Sequence, residues 1–203
     1  MRKINWGIIG PGSIANAFSH SIKATTNSQL VSVYGRNADK TDAFASKFNI
    51  DGYHQLKDFI SCKEIDAVYI ATPHSEHFIY ALEAIKNGKH VLCEKPLTMN
   101  AYESMILLDL ANSKNIFLME AFMYRTHPQT KNILDNLGYL SDLKEKVSIE
   151  ASFGFNADVS ETHRLRNPIL GGGAILDVGC YPLTMAKLIA GHLQGLYFAE
   201  PKN

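Results

Sequence analysis

Short apolar runs of strand length alternate with helix-length stretches through the first 120 residues, and this alternation limits the fold more than any other feature of the chain. Runs at 4–10 (INWGIIG), 30–35 (LVSVYG), 66–72 (DAVYIAT), 90–94 (HVLCE) and 116–120 (IFLME) predict five strands. The intervening stretches Ile14–Ala24, Ala38–Phe48, Ser75–Asn87 and Met99–Ser113 predict four helices. Strands separated by single helices need right-handed crossovers, which produce a parallel sheet covered on both faces. The expectation is an α/β chain with a doubly wound domain over residues 1–120. After Glu120 the pattern changes to a helix through HPQTKNILDNLG, a strand-like run at 146–155 (KVSIEASFGF), a polar loop, and a helix entered from GGG at 171–173. Residues 121–203 therefore read as a partial α/β (α+β) substrate domain.

Composition excludes several partners. Lys plus Arg and Asp plus Glu are 20 each, so no net field favours nucleic acid or an anionic membrane. The apolar N-terminal run is short and interrupted by Asn5, and no long uncharged apolar stretch reads as a membrane span. Cys62, Cys93 and Cys180 are odd in number and far apart, fitting neither a disulfide framework nor a zinc site. No metal, and a cytoplasmic setting, are the expectations.

The first loop, GIIGPGSIANAF, sets Gly10, Gly12 and Ala15 in a GxGxxA spacing directly after a strand. That is the spacing of a Rossmann dinucleotide site. The first glycine allows a tight turn, the second lets a pyrophosphate approach the backbone, and the small third residue lets helix and strand pack closely. The helix N-terminus at Ser13, Ile14 and Ala15 offers amides to the anion. The second strand ends in VYGRNADK, where an NAD-preferring domain carries an acid. Gly35-Arg36 instead offers space and a guanidinium suited to a 2′-phosphate, which points to NADP, with NAD as the alternative. Asn37 and Lys40 are candidate helpers. Thr72 and Pro73 end the third strand, and Ser75 is placed to cap the next helix. His77 is either a helix-surface histidine, favoured by the lack of metal-ligand spacing, or a member of the cofactor set.

The fourth strand ends in Glu94, Lys95 and Pro96, beside the crevice where a nicotinamide would lie. A lysine ammonium there can hydrogen-bond a substrate hydroxyl and lower the pKa of a neighbouring acid, with Glu94 holding the lysine in place. In GGGAILDVGCYPL, Asp177 and Tyr181 stand four apart and so share one helical face. A tyrosine beside a lysine suits alcohol oxidation, because the phenolate accepts the hydroxyl proton as hydride leaves.

The motifs GxGxxA, YGRN, ATPHSEH, CEKPLT, EAFMYRTHP, EASFGF and GGGAILDVGCYPL occur in an order that resembles the glucose-fructose oxidoreductase, inositol dehydrogenase and rhizopine-catabolism (Gfo/Idh/MocA) family, in its branch of dihydrodiol and sugar dehydrogenases. The resemblance runs from about Ile4 to Gly191. It implies Lys95 as the lysine of the catalytic centre and Tyr181 as acid/base, with Asp177 at the substrate site and Arg125 close to it. It further implies a cofactor set of Gly10, Gly12, Ser13, Ile14, Ala15, Arg36, Thr72, Pro73, His77, Glu94 and Lys95. The implied activity is NAD(P)-dependent hydride transfer to or from a sugar-like polyol or trans-dihydrodiol. The alternative is a non-catalytic dinucleotide-binding remnant. Family members are considerably longer and often form oligomers through the sheet of the second domain. This chain ends 22 residues after Tyr181, which reads as a truncated or frameshifted frame that lacks most of that sheet.

Overall fold

The computed structural model describes residues 2–136 and 148–190. Six parallel strands form one sheet in the order β3-β2-β1-β4-β5-β6. They are β1 (Ile4–Ile9), β2 (Ser28–Tyr34), β3 (Asp51–Tyr53), β4 (Ala67–Ile70), β5 (His90–Cys93) and β6 (Leu118–Glu120). Helices α1 (Ser13–Lys23), α2 (Ala38–Phe48), α3 (Leu56–Ser61), α4 (His74–Lys86) and α5 (Ala101–Lys114) make the crossovers.

Successive strand residues point to opposite faces, so neighbouring side chains feed separate cores. Ile8, Val33 and Tyr69 pack with Ala15, Phe44 and Phe48 on the α1–α2 side. Ile9, Tyr34, Val68 and Ile70 pack with Phe59, Ala84, Ile85 and Leu107 on the other. Near-continuous apolar strands are what burial on both faces demands. The helix ends carry their own signals. Asn37 accepts from Lys40 N–H at 2.9 Å and Asn100 from Glu103 N–H at 3.0 Å, while left-handed Asn49 and Asn115 close α2 and α5.

Three expectations are corrected. β3 and α3 have no counterpart in the periodicity, because a three-residue edge strand containing glycine shows no apolar run and α3 is a turn and a half long. The strand expected over 146–155 is absent where it can be seen. Positions 146 and 147 lie outside the described residues, and 148–155 are exposed and without regular structure. A strand needs a hydrogen-bonded neighbour, and among the described residues none lies beside this segment. Helix α4 begins at His74 with Pro73 as its N-cap, so Ser75 lies inside the first turn instead of capping it.

Beyond the sheet come a 3₁₀ turn at Met123–Thr126, α6 (Pro128–Asn136), a 3₁₀ turn at Pro168–Leu170, a π-helical turn at Ile175–Gly179 and α7 (Cys180–Ala190). By length and composition alone, Pro168–Ala190 is apolar enough to cross a membrane, with mean hydropathy 1.3, a property the sequence reading did not single out. Within it, Asp177 is buried and ion-paired to Lys95 of the sheet domain.

Phe59 anchors the unforeseen α3. It is fully buried against Tyr34 and Tyr53, and its ring fills the space a side chain at Gly7 would take, a Cβ there falling 2.7 Å from Phe59 Cζ. Phe59→Ala is expected to cost about 3–5 kcal/mol, read as a lowered midpoint in urea unfolding, and Phe59→Leu less than half of that.

Candidate active site

The chain leaves β1 and β4 in opposite directions around the sheet, and a cleft opens between the loops that follow them. It comprises two adjoining hollows of about 360 and 400 Å³ that share Gly12, Ala71, Thr72 and Pro73.

The first hollow is shaped by the glycine loop. Gly10 has φ +97°, and a side chain there would fall 2.9 Å from Thr72, so the turn requires glycine. Gly12 differs: a Cβ there would meet nothing nearer than Ala71 O at 3.9 Å, so it faces the open cleft. Gly12 is also the N-cap of α1 and no side chain caps that helix, which leaves its first amides free. Thr72 Oγ1, on the opposite wall, is buried without a hydrogen-bond partner among the described residues. Free amides, a backbone with room beside it and an orphaned hydroxyl fit a dinucleotide pyrophosphate. Ser13 and Ile14 border the second hollow, whereas the Ala15 side chain is buried in the core and serves packing alone. Gly35 is explained by packing and not by space for a phosphate, since a Cβ there would strike Thr41 Oγ1 at 2.5 Å and Pro11 at 2.7 Å. Arg36 borders the first hollow with Asn37 and Lys40, and its guanidinium pairs with Glu76 at 2.5 Å.

The second hollow gathers residues distant in sequence. Lys95 Nζ donates to the main-chain oxygen of Asp177 and lies 3.4 Å from Asp177 Oδ1. Arg164 reaches the same carboxylate oxygen at 3.5 Å. The Lys95 ammonium stands 5.2 Å over the Tyr181 ring, and Phe122 and Phe153 meet that ring edge-on with centroids 5.4 and 5.2 Å away. Asp177 lies in the π-helical turn and Tyr181 opens α7, so the shared face anticipated for a continuous α-helix is reached through a widened turn. The turn after β5 is fixed from both sides. His77 places Nδ1 2.7 Å from Pro96 O and Nε2 2.9 Å from Thr72 O, and Glu120 accepts from Leu97 N–H at 2.8 Å. The Lys95–Pro96 peptide is cis.

The electrostatics depart from expectation. Burial, with the Glu94 charge adding to it, pushes the Tyr181 phenol up to about 12. The anticipated lowering by Lys95, whose ammonium is tied to Asp177, does not outweigh these effects. Glu94 does not pair with the lysine ammonium either. Its carboxylate accepts from the Tyr69 hydroxyl and, at 3.3 Å, from the Lys95 backbone N–H. Burial pushes the His74 and His77 imidazoles down and the Glu120 carboxyl up.

The structure thus brings Gly12, Ser13, Ile14, Thr72, Pro73, His77, Glu94, Lys95, Asp177 and Tyr181 around one hollow. His77 is a buried positioning residue, only 1% exposed, and not the surface histidine that its isolation in sequence favoured. Arg125 is exposed and borders neither hollow, its charge acting on Glu120 instead. Arg164, in the polar loop, is the guanidinium at the reacting end. Sequence reasoning missed Arg164, Glu120, Phe122 and Phe153. The aromatic-rich EAFMY and EASFGF segments were visible, but nothing in them marked contact with Tyr181. The GGG segment is shaped more than flexible: Gly171, at φ +78°, has no room for a Cβ, which would fall 2.8 Å from His74 Cβ.

Comparisons with known proteins agree with this geometry. Residues 4–122 match the GFO/IDH/MocA family model, described as an oxidoreductase family with an NAD-binding Rossmann fold. A trans-1,2-dihydrobenzene-1,2-diol dehydrogenase of Xenopus tropicalis is 34% identical over 91% of this chain and 56% of its own length. An NADP(+) D-xylose 1-dehydrogenase of Hypocrea jecorina is 32% identical over 94% of this chain and 54% of its own. The crystal structure of a 3-ketoreductase from Actinomadura kijaniata, in complex with NADP and TDP-benzene, superposes with a TM-score of 0.79 at 26% identity over 93% of this chain and 57% of that one. The chain spans about half the length of the curated relatives it matches. A parallel six-stranded sheet, a glycine loop opening onto its crevice and a family match over more than half of the residues lead to one conclusion: the chain belongs to the GFO/IDH/MocA oxidoreductase family and carries its NAD-binding Rossmann fold.

Proposed function

We propose that the protein is an NADP-dependent oxidoreductase acting at a CH–OH or ketone carbon of a sugar-like polyol or trans-dihydrodiol. Residues 1–120 form its cofactor domain, and 121–203 form part of its substrate domain. The observation that carries this reading is the Lys95–Asp177–Tyr181 cluster, placed at one end of a cleft whose other end is a dinucleotide cradle. When bound, the nicotinamide supplies or receives the hydride. The chain's own residues manage the proton and the orientation. Tyr181 holds a proton on its phenol oxygen at neutral pH and can donate it to a carbonyl oxygen as that oxygen gains charge. Lys95 places a positive charge beside the developing alkoxide, and its ties to Asp177 keep it there. The buried Phe122 covers one edge of the Tyr181 ring. Arg164 and Asp177 offer a donor and an acceptor for substrate hydroxyls.

The cradle is tested first. Gly12→Ala adds a methyl group to open cleft, so unfolding temperature should stay within about 1 °C of wild type. NADPH affinity, followed by fluorescence titration, should fall about tenfold or more. Equal NADPH affinity in the two proteins would place the cofactor elsewhere.

The proton role is tested by pH. With a phenol near 12, the donor form is populated throughout pH 7–10, so ketone reduction should be flat across that range. Alcohol oxidation needs the phenolate and should rise about tenfold per pH unit over the same range. Tyr181→Phe should lower turnover on the order of 10²-fold or more with NADPH affinity unchanged. NADPH binding without turnover on xylose, trans-dihydrodiols or 3-keto sugars would favour the non-catalytic, dinucleotide-binding alternative.

A further inference from the structure

Tyr181 lies beyond the ion pair that secures Asp177, on a helix that packing grips weakly. No residue of α7 is buried, in contrast to the crossover helices of the sheet domain. Among the described residues, one hydrogen bond ties α7 to any residue before Pro168. The Tyr124 hydroxyl donates to Thr184 Oγ1 at 2.7 Å. Its direction follows from counting protons. Thr184 has a single hydroxyl proton and points it at the main-chain oxygen of Cys180, 2.6 Å away, with that of Tyr181 at 3.1 Å, so its own oxygen is left to accept. The grip of Tyr124 therefore passes straight to the backbone around Tyr181. Tyr124 itself is rooted in the sheet domain. It stands two residues after the buried Phe122, and Ala121 N–H donates to Cys93 O, at the end of β5, at 2.7 Å.

We propose that Tyr124 is a positioning residue: through Thr184, its hydroxyl fixes the first turn of α7 and so holds Tyr181 beneath the Lys95 ammonium. The proposal rests on the oxidoreductase reading given above and adds to it a residue that acts through Tyr181. Lys95 and Tyr124 both follow the carboxyl ends of the paired strands β5 and β6, so one edge of the sheet sets both members of the reacting pair. The Tyr124 ring lies 5.7 Å from that of Phe122 and 6.1 Å from that of Tyr181, centroid to centroid. Those contacts belong to the ring, so removing the hydroxyl alone isolates the tie to Thr184. A helix released at that point shifts the phenol by a fraction of a bond length or more, and proton transfer suffers from such a displacement more than binding does.

The test compares the full chain with Tyr124→Phe, Thr184→Val, the double variant and Thr184→Ser. Hydrogen exchange of the α7 amides, read by mass spectrometry, should be about fivefold faster in Tyr124→Phe and in Thr184→Val. It should be no faster again in the double variant, because both changes break one bond, and near wild type in Thr184→Ser, which keeps the hydroxyl. Turnover of xylose, a trans-dihydrodiol or a 3-keto sugar should fall about tenfold in Tyr124→Phe and Thr184→Val and recover in Thr184→Ser. KM and NADPH affinity should stay within about twofold of wild type. Unchanged exchange in Tyr124→Phe would overturn the proposal, as would single-variant losses that add in the double variant. So would turnover that holds while only the unfolding temperature falls, since the hydroxyl would then serve stability alone. The oxidoreductase reading fails differently: wild type would bind NADPH and turn over none of these substrates, while the exchange measurement would still decide whether Tyr124 holds α7.

Discussion

β1 is hydrogen-bonded to β2 on one side and to β4 on the other, and this reversal of winding direction is the constraint from which the site follows. Crossovers from β1 and β4 turn toward opposite sheet edges, so their loops part above the carboxyl ends of the strands. Gly10 and Gly12 keep one lip low, Thr72 and Pro73 form the other, and the free N-terminus of α1 points between them. A ligand with a charged middle and two planar ends suits such a trough.

The reacting end adds a second layer of dependence. Lys95 projects from the turn after β5, and that turn is held from beneath by His77 and from the side by Glu120. Asp177 and Arg164 then meet the ammonium from beyond the sheet domain. Burying Lys95 and Asp177 is tolerable because they pair with each other, and removing Asp177 would leave the ammonium without its charged partner. Tyr181 therefore occupies a site ordered by ion pairs and aromatic edges, and its phenol is pushed up by burial, which the lysine does not outweigh.

The two ends of the cleft differ in how polar groups are satisfied. At the reacting end, Lys95, Asp177 and Arg164 satisfy one another. In the first hollow, Thr72 Oγ1 and Glu76 Oε2 are buried without hydrogen-bond partners among the described residues.

Much was legible in the sequence. Five of the six strands, four of the five crossover helices, the glycine loop and the positions of Lys95, Asp177 and Tyr181 follow from local rules. Strand runs, crossover spacing and tight turns are written in residues close together along the chain. What escaped were facts of long-range placement. β3 is too short to show a period, and it exists because β2 offers it an edge. The run at 148–155 has apolar residues in strand-like order and yet forms no strand, because a ladder needs a neighbour that local sequence cannot supply. His77 looked like a surface residue until the turn after β5 was laid against it. The lysine's partner proved to be Asp177, 82 residues away, and not the adjacent Glu94. The direction of the Tyr181 shift was likewise decided by burial. Sequence by itself determined which residues could do chemistry at the strand ends. Only the tertiary structure decided which charge faces which, because Coulomb and desolvation terms depend on distances through space that spacing along the chain does not encode.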